Sequence, residues 1–165
     1  MMKVVSNTTA QAAATALPPT PALGLRELLA PQIAKGLVSV DDTSDGRSVI
    51  TIAASDLFAS GSEVVNPQYV SLIQDIGDAA EKVPGRYMVT GHTDDQPLRS
   101  LRFPDNFALS RERAVQVANL LKTRIRDAGR VDFVGAGSSQ PRFTPPNLPE
   151  NRARNRRVEI THRKG

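Results

Sequence analysis

The sequence predicts a single α+β domain, with helices on one face of a mixed sheet and an N-terminal helix and extra strand at its start. Three observations predict it. Short segments of alternating apolar and polar residues recur along the chain. Two longer segments carry apolar residues at helical spacing. The two kinds follow one another in the order β-β-α-β-α-β-β, with no internal repeat.

The elements follow in chain order. Residues 1–22 are rich in Thr, Ala and Pro and poor in large apolar side chains, so they read as a linker or disordered tail before a domain over 23–165. Leu25, Leu28, Leu29 and Ile33 have helical spacing, interrupted by Pro31, which implies a short or broken helix. Leu37–Val40 alternates, Asp45-Gly46 marks a turn, and Val49–Ile52 alternates again, which is a β-hairpin pattern. After Pro67, a residue suited to a first helical turn, Val70, Ile73, Ile76, Ala80 and Val83 form one helical face that Pro84-Gly85 ends. Arg86–Gly91 reads as a strand, followed by a polar loop containing Pro97 and Pro104. The clearest helix carries Ala114, Val117, Ala118, Leu121 and Ile125 on one face, with Gly129 as its expected stop. Val131–Gly135 and Val158–Thr161 are the remaining strands, separated by a Pro-rich loop over 138–149.

Composition narrows the function. At 165 residues, 39% apolar and 23% charged, the chain suits one ordinary globular domain. A net charge of +4 suits an anionic partner such as nucleic acid, a membrane surface or a cell-wall polymer, or else a solvated basic surface. The absence of cysteine excludes disulfides, Cys-ligated metals and a lipid-bearing cysteine in this chain. No apolar run approaches the ~18 residues of a membrane-spanning helix, and no signal-peptide pattern opens the chain.

Enzyme motifs are lacking. There is no H-E-x-x-H, no G-x-S-x-G and no phosphate-cradling glycine loop, and Gly135-Ala136-Gly137 reads as a turn because Pro141 stands where a helix would begin. His92 and Asp94 could supply two metal ligands, but no third is apparent. No catalytic residue, metal or cofactor is therefore expected.

Two features remain. The strand-end loop Gly91-His92-Thr93-Asp94-Asp95 sits where folds of this type place binding groups, although Thr93 and Asp94 could equally cap a turn. Leu109-Ser110-Arg111-Glu112-Arg113-Ala114 reads as a helix start. Arginines in a first turn oppose the helix dipole at roughly 0.3–1 kcal/mol each, which suggests an arginine retained for a carboxylate, or one that is merely solvated.

Together with Asn106, Val117, Gly135-x-Gly137-x-x-x-Pro141 and Asn155-Arg156-Arg157-Val158-Glu159-Ile160, these residues closely resemble the OmpA-like domain family over about 50–160. The resemblance implies a β-α-β-α-β-β sandwich that binds the peptide stem of peptidoglycan, at its diaminopimelate residue, without covalent chemistry. It assigns Asp94 to the ligand's amino group and Arg113 to its carboxylate, a role for which arginine's planar fork is suited. Thr93, Asn106, Leu109, Phe58 and the Ala59 backbone N–H line the same site by resemblance. Arg156 and Arg157 belong to the closing motif, ordering the site or touching the stem. His92 is given no ligand contact.

The long loop from Asp94 to Asn106 further resembles the C-terminal extension of the TssL family of type VI secretion inner-membrane proteins, with the MotB family of flagellar stator proteins as the alternative. Both imply a periplasmic domain that serves an envelope-spanning machine among other subunits. In both, the membrane is reached only through a transmembrane helix not contained in this chain. A different reading rests on the basic stretch from Asn151 to Arg157 with Arg163-Lys164, which could be a nucleic-acid patch. No stacking aromatics or recognition motif accompany it, so no nucleic-acid partner is expected.

Overall fold

The computed structural model describes residues 24–164. The expected tail, residues 1–22, lies outside the described residues. The elements are α1 (Leu25–Leu28), α2 (Ala30–Ala34), β1 (Ser39–Asp42), β2 (Ser48–Ala53), α3 (Ala54–Leu57), α4 (Pro67–Lys82), β3 (Arg86–His92), α5 (Asn106–Lys122), β4 (Val131–Gly137), α6 (Pro149–Asn155) and β5 (Arg157–Arg163). No described helix is long and apolar enough to cross a membrane.

Five strands form one mixed sheet in the order β1-β2-β5-β3-β4. All neighbours are antiparallel except β3 and β4. A parallel pair needs a crossover, and α5 supplies it. Register explains the core. Ile50 faces Ile160 on β5, which faces Val89 on β3, so three strands present their apolar residues in one row, and none of the three is exposed. Strand alternation puts Ile52, Val158 and Tyr87 on the same face. Leu72, Ile73, Ile76 and Ala80 of α4 and Ala114, Val117, Ala118 and Leu121 of α5 join them in the core. Each large side chain so buried contributes roughly 1.5–3 kcal/mol.

Two glycines set how closely α5 lies on the sheet. A Cβ at Gly91 of β3 would stand 2.2 Å from the Ser110 carbonyl oxygen, and one at Gly135 of β4 would stand 2.5 Å from the Arg111 nitrogen. Only glycine permits that approach of backbone to backbone.

The hairpin, the helix broken near Pro31 and the helix opened by Pro67 occur as the pattern predicts. Other boundaries differ. The first strand begins at Ser39, not Leu37, and its acidic end lies on the sheet edge. The helix α5 starts at Asn106, because the Asp105 carboxylate accepts a hydrogen bond from the Ala108 N–H at 2.8 Å and caps it there. It ends at Lys122, so Ile125 is buried beyond the helix, and Gly129 falls in a separate 3-10 turn over Ala128–Arg130. The short helices α3 and α6 were not legible, since four or seven residues without apolar periodicity carry little helical signal.

Candidate ligand-binding cleft

A cleft of about 780 Å³ opens at the C-terminal end of β3. Its walls are α3 and the loop after it, the loop after β3, the first half of α5, and Arg156 at the end of α6. It forms here because the β3–β4 ladder shifts register after Gly91, so that His92 pairs with Gly137. The Thr93 N–H then donates to the Gly137 carbonyl at 2.8 Å, and the chain turns away from the sheet.

That turn delivers Asp94, which is 8% exposed. Its Oδ1 accepts from the Gln96 N–H at 3.0 Å, and its Oδ2 accepts from Arg156 Nη1 at 2.6 Å. The carboxylate is thus held at a fixed angle by the loop on one side and by a cation on the other. The next residue repeats the arrangement: Arg152 Nε donates to Asp95 Oδ1 at 2.6 Å. Arg152 and Arg156 are four residues apart, one helical turn, so consecutive aspartates clasp consecutive turns of α6 and its end.

Arg113 faces Asp94's wall from α5 and is 7% exposed. Its Nε donates to the Ser62 carbonyl at 2.7 Å and its Nη2 to the Ala59 carbonyl at 3.2 Å, while the guanidinium lies 4.8 Å from the Phe58 ring centroid. Among the described residues its Nη1 has no protein partner. Burial first, and then the charge of Arg156, pull Arg113 down to about 10, with only partial support from Glu63. A desolvated guanidinium without its own carboxylate is a place for an anion.

The dipole account of Arg113 is corrected by this geometry. Arg111 and Arg113 are the sixth and eighth residues of α5, past the first turn in which the dipole acts. The strain on Arg113 comes from burial. Arg111 stacks at 5.2 Å on Phe133, outside the cleft lining.

Phe58, Ala59, Thr93, Asp94, Asn106, Leu109, Arg113 and Arg156 all line the cleft. Phe58 and Leu109 are each 3% exposed and form its apolar part. Asn106 donates from Nδ2 to the Gln96 carbonyl at 2.8 Å, tying the loop to the helix. Arg157 is not brought to the cleft. It is 4% exposed and donates to Glu159 Oε2 at 2.7 Å, and to the Asn155 and Gln140 carbonyls at 3.1 Å each. It orders the scaffold under the site, with no donor group left unassigned.

Sequence reasoning missed several contributors. Ser55, Ser60, Gly61 and Gln96–Arg99 also line the cleft. Asn155, 1% exposed, accepts at Oδ1 from the Arg142 and Phe143 N–H groups and donates to the Phe143 carbonyl, which pins the loop after β4. The i, i+4 spacing of Arg152 and Arg156 was visible, but only the tertiary fold brings Asp94 and Asp95 opposite them. The basic stretch is largely paired inside the fold: Arg154 packs at 4.1 Å over Phe143, and Arg152, Arg156 and Arg157 each meet a carboxylate.

Glu159 lies on the opposite sheet face, with Arg157 at 2.7 Å, His92 at 3.5 Å and Arg142 at 3.6 Å. Burial alone would raise its carboxyl, but the His92 and Arg157 side chains outweigh this and hold it down at about 2. A depressed carboxylate stabilises the fold above its ordinary pKa, and that contribution disappears as pH falls towards 2. Glu159→Gln should therefore be less stable than the parent near neutrality by roughly 2–3 kcal/mol, with the gap closing between about pH 4.5 and 2. Urea unfolding across that range measures it; a gap that stays constant with pH would show that the charge is not what Glu159 contributes.

The OmpA family matches residues 57–156, a span holding Phe58, Asp94, Arg113 and Arg156. The chain is 33% identical over 129 residues to motility protein B of Helicobacter pylori strain J99, covering 76% of this chain and 50% of that protein. It is 31% identical over 124 residues to the probable lipoprotein YiaD of Escherichia coli K12, covering 74% of this chain and 54% of that one. The chain thus spans about half the length of these curated relatives. Among solved structures, the cell wall anchor of the type VI secretion system from Pseudomonas aeruginosa is 43% identical, with a TM-score of 0.79 over 86% of this chain and 97% of that one. The periplasmic domain of Helicobacter pylori MotB is 28% identical, with a TM-score of 0.69 over 77% and 82%. The family match spans more than half of the chain and takes in β3, α5, β4 and most of the cleft lining, and the chain belongs to the OmpA family.

Proposed function

We propose that this domain binds peptidoglycan non-covalently, at the diaminopimelate residue of the stem peptide, and anchors a type VI secretion inner-membrane complex to the wall from the periplasm. One observation carries the reading: Arg113, buried and without a carboxylate partner among the described residues, shares a cleft with an oriented Asp94. The free centre of diaminopimelate holds an ammonium and a carboxylate on one carbon. Asp94 accepts from the ammonium, and Arg113 Nη1 donates to the carboxylate. Phe58 and the two backbone carbonyls hold the guanidinium still, so little ordering accompanies binding. The reading is non-enzymatic: the serines of the cleft have no histidine beside them, and His92 lines a separate cavity on the far sheet face.

The choice of machine is supported by the 43% identity and near-complete coverage of the type VI secretion wall anchor. The alternative, a MotB-type stator domain, is supported by the curated motility proteins. In either case other envelope subunits are partners, and a transmembrane helix elsewhere in the parent protein provides the membrane attachment. Deleting this domain should abolish type VI-dependent killing and leave swimming intact; the reverse result assigns it to the stator.

Wall binding itself is tested by co-sedimentation with two kinds of sacculi. Lysine-type stems lack the side-chain carboxylate that diaminopimelate carries, so Arg113 has no partner there. The protein should pellet with diaminopimelate-type sacculi and stay soluble with lysine-type ones, and free diaminopimelate should compete where lysine does not. Equal pelleting with both would remove the assigned role of Arg113.

A further inference from the structure

Under the cleft, on the sheet face away from the helices, lies a second cavity of about 320 Å³ lined in part by Arg47, Thr90, His92, Gln140 and Glu159. His92 is 3% exposed, and neither of its ring nitrogens has a hydrogen-bond partner among the described residues. Its Nε2 stands 3.5 Å from Glu159 Oε1, at the outer limit of such a bond. That contact is the imidazole's one polar contact among the described residues, and without it the buried ring would carry the roughly 1–3 kcal/mol cost of an unpaired polar group.

His92 pairs in register with Arg157, and it stands two residues before Asp94, just as Arg157 follows Arg156. The ends of β3 and β5 are therefore joined twice. On the cleft side the tie is Asp94 to Arg156, at 2.6 Å. On the far side it runs from His92 to Glu159, from Glu159 to Arg157 at 2.7 Å, and from Arg157 Nη1 to the Asn155 carbonyl, which flanks Arg156. Arg142, 3.6 Å from Glu159, is the remaining charge on that carboxylate.

We propose that His92 is a positioning residue for the cleft, coupling the strand end that carries Asp94 to the strand start that follows Arg156 through its contact with Glu159. The inference rests on the cleft being the peptidoglycan site. His92 touches no ligand and acts only through the geometry of the Asp94–Arg156 pair.

Two variants separate this role from packing. Glutamine places an amide nitrogen near the position of Nε2 and can still donate to Glu159, whereas methionine fills similar volume with no donor. The Arg156 guanidinium NMR signal, read without ligand, reports the Asp94–Arg156 pair. Affinity for diaminopimelate-type sacculi reports the cleft. His92→Gln should retain the parent Arg156 signal and affinity, while His92→Met should shift that signal and weaken binding by roughly tenfold, the scale expected for misplacing a group by a fraction of an ångström. In an Asp94→Asn background the His92→Met effect on affinity should largely vanish, because the pair it positions is already impaired. An Arg156 signal unchanged in His92→Met, or an affinity loss that persists in the Asp94→Asn background, overturns the proposal. If the Arg156 signal shifts as expected but the parent protein ignores sacculi, the positioning role stands and the peptidoglycan reading fails.

Discussion

Asp94→Ala and Arg113→Ala should each abolish sedimentation with diaminopimelate-type sacculi. On the proposed reading each removes a charge-assisted bond to a charged ligand group, a loss of about 1.5–3 kcal/mol, or roughly one to two decades in affinity. The structure separates the two in their effects on folding. Asp94→Ala leaves Arg156 without its partner, but that side chain is 39% exposed and can turn to water. Its stability should stay near the parent's. Arg113→Ala removes the donors to the Ser62 and Ala59 carbonyls and uncovers the Phe58 ring, so it should also melt earlier, by an amount corresponding to about 1–2 kcal/mol. Arg113→Lys keeps the charge without the fork and should recover only part of the binding. The double variant should bind little worse than the worse single one, because both groups act on one zwitterionic centre. Sedimentation beside thermal melts gives the answer. Normal pelleting of both alanine variants would rule out this pair as the ligand clamp.

Gly91→Ala should have the largest effect on folding. Its Cβ would stand 2.2 Å from the Ser110 carbonyl oxygen, with Ser110 carbonyl carbon at 2.9 Å, and neither can swing aside as a flexible side chain could. Relief requires α5 to lift from the sheet, pulling Ala114, Val117 and Leu121 out of the core and moving Arg113 off Phe58. Overpacking of this kind costs roughly 1–3 kcal/mol or more, and here it opposes two rigid backbones. Gly36→Ala, at a positive-φ site with nothing near its Cβ, provides a contrast with backbone strain alone. Urea midpoints should fall far more for Gly91→Ala; equal falls would mean that the helix accommodates the methyl group without moving.

Patterns of neighbouring residues were legible without coordinates. Alternation at Val49–Ile52 and Val158–Thr161 and the helical spacing from Val70 to Val83 predicted elements that the structure contains. Periodicity works there because each segment must bury one face. It fails for α6, whose seven residues PENRARN bury mainly Asn155, and for the start of α5, which depends on the Asp105 cap and not on apolar spacing. The family resemblance brought eight cleft residues together by name, whereas Arg157, in the same motif as Arg156, opens β5 on the sheet face of Glu159, two residues on, away from the cleft.

The sequence by itself determined the class of the domain, the order of its elements and the chemistry on offer: an acid after a strand, an arginine on a helix, and no cysteine or catalytic motif. Those properties depend on residue identity and local spacing. Only the tertiary structure decided which charges pair. Asp94 meets Arg156 across 62 residues, Asp95 meets Arg152 across 57, and Arg113 is left with carbonyls 51 and 54 residues away and, among the described residues, no carboxylate of its own. Pairing is governed by distance and burial, and both arise only once β3, β5, α5 and α6 pack together. Arg113 became a buried cation at that point, when the fold removed its water and gave its neighbours' carboxylates to other arginines.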